Sequence, residues 1–173
     1  MTAGLDGAVI SDFDGTLALL AVPWPDLRAS LSITRIDDLW HDPDAERWEV
    51  VTQAEIDAAR VAAPVPGIME ALQSATTVAV LTSNDEAAVE IFLARWPELA
   101  AKIGAIVGRR ALAGPKTEFE VFASGYERCL RSVTERDAGV TYIGDMRYEL
   151  DFARRLGARA VDVKELEAAS RDA

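Results

Sequence analysis

The chain has 173 residues, 50% apolar and 27% charged, with a formal net charge of −11. That length suits one compact domain with its own core plus a small appended element. The excess of acid argues against nucleic acid as a partner, because nucleic acid is bound by clustered Lys and Arg that displace counterions; a single cysteine, Cys129, excludes a disulfide framework and suits a reducing compartment.

Read from the amino terminus, MTAGLDGAVI lacks a charged segment followed by a long apolar one. An apolar run over 8–10 predicts a buried strand. The apolar run 17–24 is too short to span a bilayer and contains Pro23, so a cytoplasmic protein with no membrane contact is expected. From 18 to 64 no strand is evident; the stretch is acidic, with helical spacing over 25–32 and 52–63. Proline-containing seams, Val22-Pro23 and Pro64-Val65-Pro66-Gly67, bracket it. Helical spacing over 67–74, 87–95, 118–130 and 148–156 then alternates with strand-like runs over 77–81, 103–107, 140–143 and 158–163.

Strand and helix in alternation predict right-handed crossovers and an α/β fold. The expected architecture is a Rossmann-like three-layer α/β/α sandwich with a mainly parallel sheet. Residues 1–17 and 65–173 would form its core and residues 18–64 a small helical cap inserted after the first strand. Chemistry in such sheets collects at the carboxyl ends of the strands.

The strongest local signal is Ser11-Asp12-Phe13-Asp14-Gly15-Thr16-Leu17, directly after the first strand. Residues two apart on an extended chain point to one side, so Asp12 and Asp14 can share a site while Phe13 faces the core. Two carboxylates that close need a cation or a proton between them, and Gly15 permits a sharp departure from the strand. A calcium loop fails by counting: with Gly15 sixth, Ile10 would be first and Ala21 twelfth, and neither can ligate.

Asp12-Phe13-Asp14-Gly15-Thr16-Leu17 resembles the first motif of the haloacid dehalogenase superfamily. Three further motifs follow in order. A strand ending in Leu81-Thr82-Ser83-Asn84 resembles the second, Lys116 in Gly114-Pro115-Lys116-Thr117 the third, and Ile143-Gly144-Asp145-Met146-Arg147-Tyr148-Glu149 the fourth. The resemblance is to a phosphoglycolate-phosphatase-like member with a small helical cap. It implies a magnesium-dependent phosphatase that hydrolyses a small phosphorylated metabolite through an aspartyl-phosphate.

The resemblance assigns Asp12 as nucleophile and metal ligand. Asp14 becomes the general acid and base, with its backbone carbonyl on the metal. Ser83 meets the phosphoryl oxygens, Lys116 orients Asp12, and Asp145 completes the metal site; Gly15, Thr16 and Asn84 join Ser83 around the substrate. A phosphate monoester brings roughly two negative charges, and each like-charge pair at about 4 Å costs on the order of 4 kcal/mol at an effective dielectric near 20. A divalent cation and Lys116 relieve that repulsion. Oxygen ligands favour Mg2+ over zinc; the one histidine, His41, lies outside the motifs.

Two departures stand out. Glu149 replaces the second Asp that many relatives carry, which leaves its role open, and Thr82 offers a second hydroxyl beside Ser83. Asp14 argues for phosphoryl transfer over dehalogenation, since a leaving halide needs no proton. The absence of any lysine before Lys102 closes a Schiff-base route. A P-loop reading of 108–117 fails because Pro115 stands before Lys116 and offers no N–H. A sugar phosphomutase and a catalytically silent binding protein of the same fold remain as alternatives. Trp24, Trp40 and Trp48 serve either a substrate pocket or the insertion's own core. Of the insertion's cations Arg28, Arg35, Arg47 and Arg60, Arg28 is the first choice for the far end of an anionic substrate.

Overall fold

The computed structural model describes residues 5–41, 44–133 and 139–171. Its first part comprises β1 (Gly7–Ser11), β2 (Ala18–Leu19), α1 (Trp24–Ser30), a 3-10 turn (Ile36–His41), α2 (Ala45–Ala59) and β3 (Ala63–Pro64). Then come α3 (Ile68–Ala71), β4 (Ala75–Leu81), α4 (Glu86–Leu93), α5 (Pro97–Ala100) and β5 (Ile103–Val107). The last part holds α6 (Phe119–Ser132), β6 (Thr141–Gly144), α7 (Arg147–Arg155), β7 (Arg159–Asp162) and α8 (Val163–Arg171).

Five strands pair in the order β5-β4-β1-β6-β7, every pair parallel. Alternation along β1 divides its side chains between two cores. Val9 packs with Ile68, Val89, Phe92 and Leu166, from α3, α4 and α8. Ala8 and Ile10 pack with Phe122, Cys129, Leu150 and Ala153, from α6 and α7. Burial on both faces explains why the strands read as continuous apolar runs. The architecture is therefore the expected α/β/α sandwich.

Three helices, α2, α5 and α8, depart from the expected periodicity, and β2 and β3 lie at the two ends of a stretch where no strand was expected. α2 begins at residue 45 rather than 52, because Asp44 caps it by accepting the Glu46 N–H at 3.0 Å. α8 was not expected: Asp162 accepts the Lys164 N–H at 3.0 Å and turns the end of β7 into a helix.

β2 and β3 pair antiparallel, Ala18 with Pro64 and Leu19 with Ala63. The segment between them has a small apolar cluster of Val22, Leu27, Leu31, Leu39, Val51 and Ala58, against which Trp24 and Trp48 pack. Trp40 makes an edge-to-face contact with Trp48 and packs on the α6–α7 core. Two of the three tryptophans thus fill this segment's own core. No helix among the described residues is long and apolar enough to cross a membrane.

From β1 the chain adds β4 and β5 on one side, then crosses to place β6 on the other. The strand order reverses at β1 and β6, which is where doubly wound sheets open a crevice at the carboxyl ends. Asp12, Thr82 and Asp145 directly follow β1, β4 and β6.

Candidate active site

The Asp12 N–H donates to the Ile143 carbonyl at 2.9 Å, which ties the end of β1 to β6. Three residues on, Gly15 takes φ +76°, and a Cβ there would stand 2.9 Å from Asp145 Oδ2. The glycine is needed both for the left-handed turn and for the approach of Asp145. Asp12, Asp145 and Glu149 each offer a carboxylate oxygen, all within 4.8 Å of one another.

Lys116 enters from the loop before α6 and is fully buried. Its Nζ lies 2.5 Å from Asp12 Oδ1 and 2.6 Å from Glu149 Oε1, and donates to the Leu81 carbonyl at 3.2 Å. The ammonium thus donates to Asp12 and Leu81 and forms an ion pair with Glu149. Burial opposes charge on Lys116, but Asp12 and Glu149 outweigh it and hold its pKa above the ordinary lysine value. Glu149 accepts the Tyr142 hydroxyl on Oε2 and the Tyr148 hydroxyl on Oε1, each at 3.2 Å. Burial and the nearby Asp12 carboxylate push its pKa up, against the pull of Lys116. With Lys116 and two tyrosines on it, Glu149 is committed to holding the lysine.

The Asp14 carboxylate stands apart from this group and accepts the Leu20 N–H at 3.1 Å. Burial pushes its pKa up to about 7; the Leu20 N–H opposes this, while Asp12, Asp145 and Glu55 add to it. Burial, then Asp12, also raises Asp145.

These residues line a cleft of about 270 Å³, with Thr82, Ser83, Asn84, Met146 and Tyr148 on the core side. Trp24, Ile36, Asp37 and Glu55 line it from the segment between β2 and β3. Within the loop after β4, the Thr82 hydroxyl donates to Asn84 Oδ1 at 2.9 Å and accepts the Asn84 N–H at 3.1 Å. Ser83 is exposed in the cleft, and its hydroxyl enters no hydrogen bond within the described residues. Of the two hydroxyls, Ser83 is the one left for a ligand.

Three other expected substrate contacts, Gly15, Thr16 and Arg28, are not among the residues that line the cleft. Thr16 is fully buried, Gly15 is pressed against Asp145, and neither lines the cleft. Asn84 lines the cleft, with its amide oxygen accepting from Thr82 and one amide N–H donated to Glu55. Arg28, one turn beyond Trp24 on α1, is half-buried and is not among the lining residues. The segment instead brings carboxylates, and Glu55 had no motif to announce it. The available signal was its spacing: Val51, Glu55, Ala58 and Ala59 share the buried face of α2, so a carboxylate occupies a core position.

Asp12 and Asp145 fit a divalent cation. Lys116 is on Asp12 Oδ1 and no hydrogen bond among the described residues engages Oδ2, Asp145 offers a second carboxylate within 4.8 Å, and the donors are hard oxygens in a small number that suits an ion retaining several waters. Glu149 belongs to the group by distance, but its oxygens are already engaged.

No protein-family model and no curated protein matches the chain. Solved structures do. One, named only provisionally as a phosphoglycolate phosphatase, from Lactobacillus plantarum, is 14% identical with a TM-score of 0.66, over 97% of this chain and 91% of that one. A haloacid dehalogenase-like family hydrolase from Streptococcus pneumoniae is 18% identical with a TM-score of 0.59, over 92% and 84%. The L-2-haloacid dehalogenase of Xanthobacter autotrophicus is 15% identical with a TM-score of 0.58, over 90% and 76%. Identities this low establish shared architecture, and the chain has the haloacid dehalogenase-like hydrolase fold.

Proposed function

We propose that the chain is a magnesium-dependent phosphatase that hydrolyses a small phosphate monoester through an aspartyl-phosphate on Asp12. The observation that carries this reading is the combination at one strand end. A buried lysine grips Oδ1 of Asp12, Asp145 brings a second carboxylate within 4.8 Å, and a separate carboxyl, Asp14, lines the same cleft.

Asp12 and Asp145 would hold the ion, which when bound supplies positive charge to the phosphoryl oxygens and lowers the repulsion between them and the carboxylates. Lys116 orients Asp12 so that Oδ2 faces the phosphorus. The Oδ2–P bond forms as the ester P–O bond breaks, and Asp14 donates its proton to the departing alkoxide. Asp14 then takes a proton from water as that water attacks phosphorus, the Oδ2–P bond breaks, and inorganic phosphate leaves. Dividing the reaction this way replaces one difficult displacement with two easier ones. Ser83 provides a hydroxyl donor to the phosphoryl oxygens. Asp14 favours this reaction over dehalogenation, because a halide leaves without a proton. The segment from 18 to 64 acts as a cap that selects the non-reacting part of the substrate.

The test is turnover of p-nitrophenyl phosphate with magnesium by wild-type protein and Asp12→Asn. Loss of a nucleophile costs several orders of magnitude, so Asp12→Asn is expected below about one thousandth of the wild-type rate with its fold intact. Retention of more than about one hundredth would sink the covalent route. Full wild-type activity in excess chelator would remove the metal from the scheme.

A further inference from the structure

The Ser83 loop is held from outside the sheet. Glu55, buried on α2, accepts from Asn84 Nδ2 (3.0 Å) and an Arg109 N–H (2.9 Å) on Oε1. Its Oε2 accepts the Asp85 N–H (3.0 Å) and a second Arg109 N–H (3.0 Å). Arg109 comes from the short turn after β5. It also donates to the Ser83 carbonyl at 3.2 Å and the Thr52 hydroxyl at 2.8 Å, and its backbone N–H donates to the Asn84 carbonyl at 2.9 Å. Its guanidinium lies over the Trp48 ring at 4.6 Å, and Asp85 Oδ2 accepts the Thr52 hydroxyl at 3.2 Å.

One residue of this loop keeps its donors unengaged. Thr82, Asn84 and Asp85 have engaged side chains, and the carbonyls of Ser83 and Asn84 are taken by Arg109. The Ser83 hydroxyl and N–H enter no hydrogen bond among the described residues, and Ser83 lines the cleft. A buried ion pair is a poor way to gain stability, because apolar residues of similar volume do as well or better. What a planar guanidinium and a carboxylate do well is fix one geometry through parallel hydrogen bonds.

We propose that Glu55 and Arg109 are positioning residues for phosphoryl recognition: together they lock the insertion onto the Ser83 loop, so that the free donors of Ser83 are presented in advance. The consequence is a wall that stays docked while substrate exchanges, with α2 acting as part of the phosphate-binding loop. This rests on the phosphatase reading above.

The test compares the double variant Glu55→Met/Arg109→Met with wild type, each with and without Ser83→Ala. The readouts are kcat/KM on p-nitrophenyl phosphate with magnesium, inhibition by vanadate, and the melting temperature. The double variant is expected to stay folded and to lose about tenfold or more in kcat/KM, with a matching loss of vanadate affinity. Ser83→Ala is expected to cost about tenfold in wild type and less than about twofold in the double variant, because residues acting through one another are not additive. Wild-type kcat/KM in the folded double variant, or an equal Ser83→Ala cost in both backgrounds, overturns the proposal. Should the double variant fail to fold, Arg109→Lys, which keeps the charge and loses the fork, enters the same cycle with the same criteria.

Absence of wild-type turnover on any phosphate monoester would end the phosphatase reading, and the clamp is then judged without substrate. Amide hydrogen exchange at Asp85 is expected to be slow in wild type and about a hundredfold faster in the pair variant or Arg109→Lys. Unchanged exchange at Asp85 rejects the clamp.

Discussion

Two buried cations in this molecule each grip two carboxylates, and they do so to opposite ends. Lys116 lies between Asp12 and Glu149; Arg109 pairs with Glu55 at 2.9 Å and approaches Asp85 Oδ2 at 3.8 Å. Around Arg109 the carboxylate oxygens are filled by N–H and hydroxyl donors, and the fork–carboxylate contact is closed. Around Lys116, Glu149 is engaged on both oxygens, while Asp12 lines the cleft with one oxygen in no hydrogen bond among the described residues. An ammonium is a point charge that can hold one oxygen and leave its neighbour open, whereas a guanidinium engages both. The difference between a group that reacts and a group that holds thus lies in the unfilled acceptor.

That contrast breaks most visibly at Lys116. Lys116→Met leaves Asp12 and Glu149 buried without their cation. A loss of about 3–5 kcal/mol in denaturant unfolding is expected, together with loss of turnover. Adding Glu149→Met should restore much of the stability and none of the activity; recovered activity would show that the lysine serves packing alone.

Arg109→Met alone should cost a similar or slightly smaller amount, about 3 kcal/mol, because Glu55 is left uncompensated. The partner change Glu55→Met should return most of it, measured by the same unfolding curves. A double variant less stable than the single one would mean that the network around Glu55 stabilises the fold in its own right.

Gly15→Ala probes the open side of Asp12. The left-handed backbone costs roughly 1–2 kcal/mol, and the new Cβ would stand 2.9 Å from Asp145 Oδ2. Displacing Asp145 should raise the magnesium concentration for half-maximal activity by about tenfold. An unchanged magnesium titration would show that Asp145 does not hold the ion.

The smallest effect is expected at Lys102, a third gripping cation with no carboxylate in its grip. Its ammonium donates to the carbonyls of Leu72, Gln73 and Ala75 at 3.0, 2.6 and 2.8 Å. Lys102→Met should lower stability by about 1–2 kcal/mol and leave kcat/KM unchanged. Altered kinetics would show that the end of α3 communicates with the cleft.

The sequence by itself determined the α/β alternation, and β5 begins and ends where its apolar run does, at 103 and 107. It also determined that Asp12, Asp145 and the Thr82–Ser83 pair stand at strand ends. Such features are written within a few neighbouring residues, where side-chain periodicity and turn chemistry act directly. α8 was missed although its cap, Asp162 to Lys164, is local, because the apolar run over 158–163 reads as strand up to the residue where the helix begins.

Only the tertiary structure decided which partners those residues take. Glu149 looks in sequence like a displaced metal ligand, and packing of Tyr142 and Tyr148 around it makes it the holder of Lys116. Asn84 looks like a substrate contact, and docking of α2 turns its amide to Glu55. Arg28 is one helical turn from a residue that lines the cleft, yet the rotation of α1 leaves it out of the lining. Glu55 and Arg109 lie 54 positions apart, and no local pattern relates them. Hydrogen-bond partners across such separations are set by how whole elements pack, because a buried polar group must take whatever donor or acceptor the docking brings within about 3 Å.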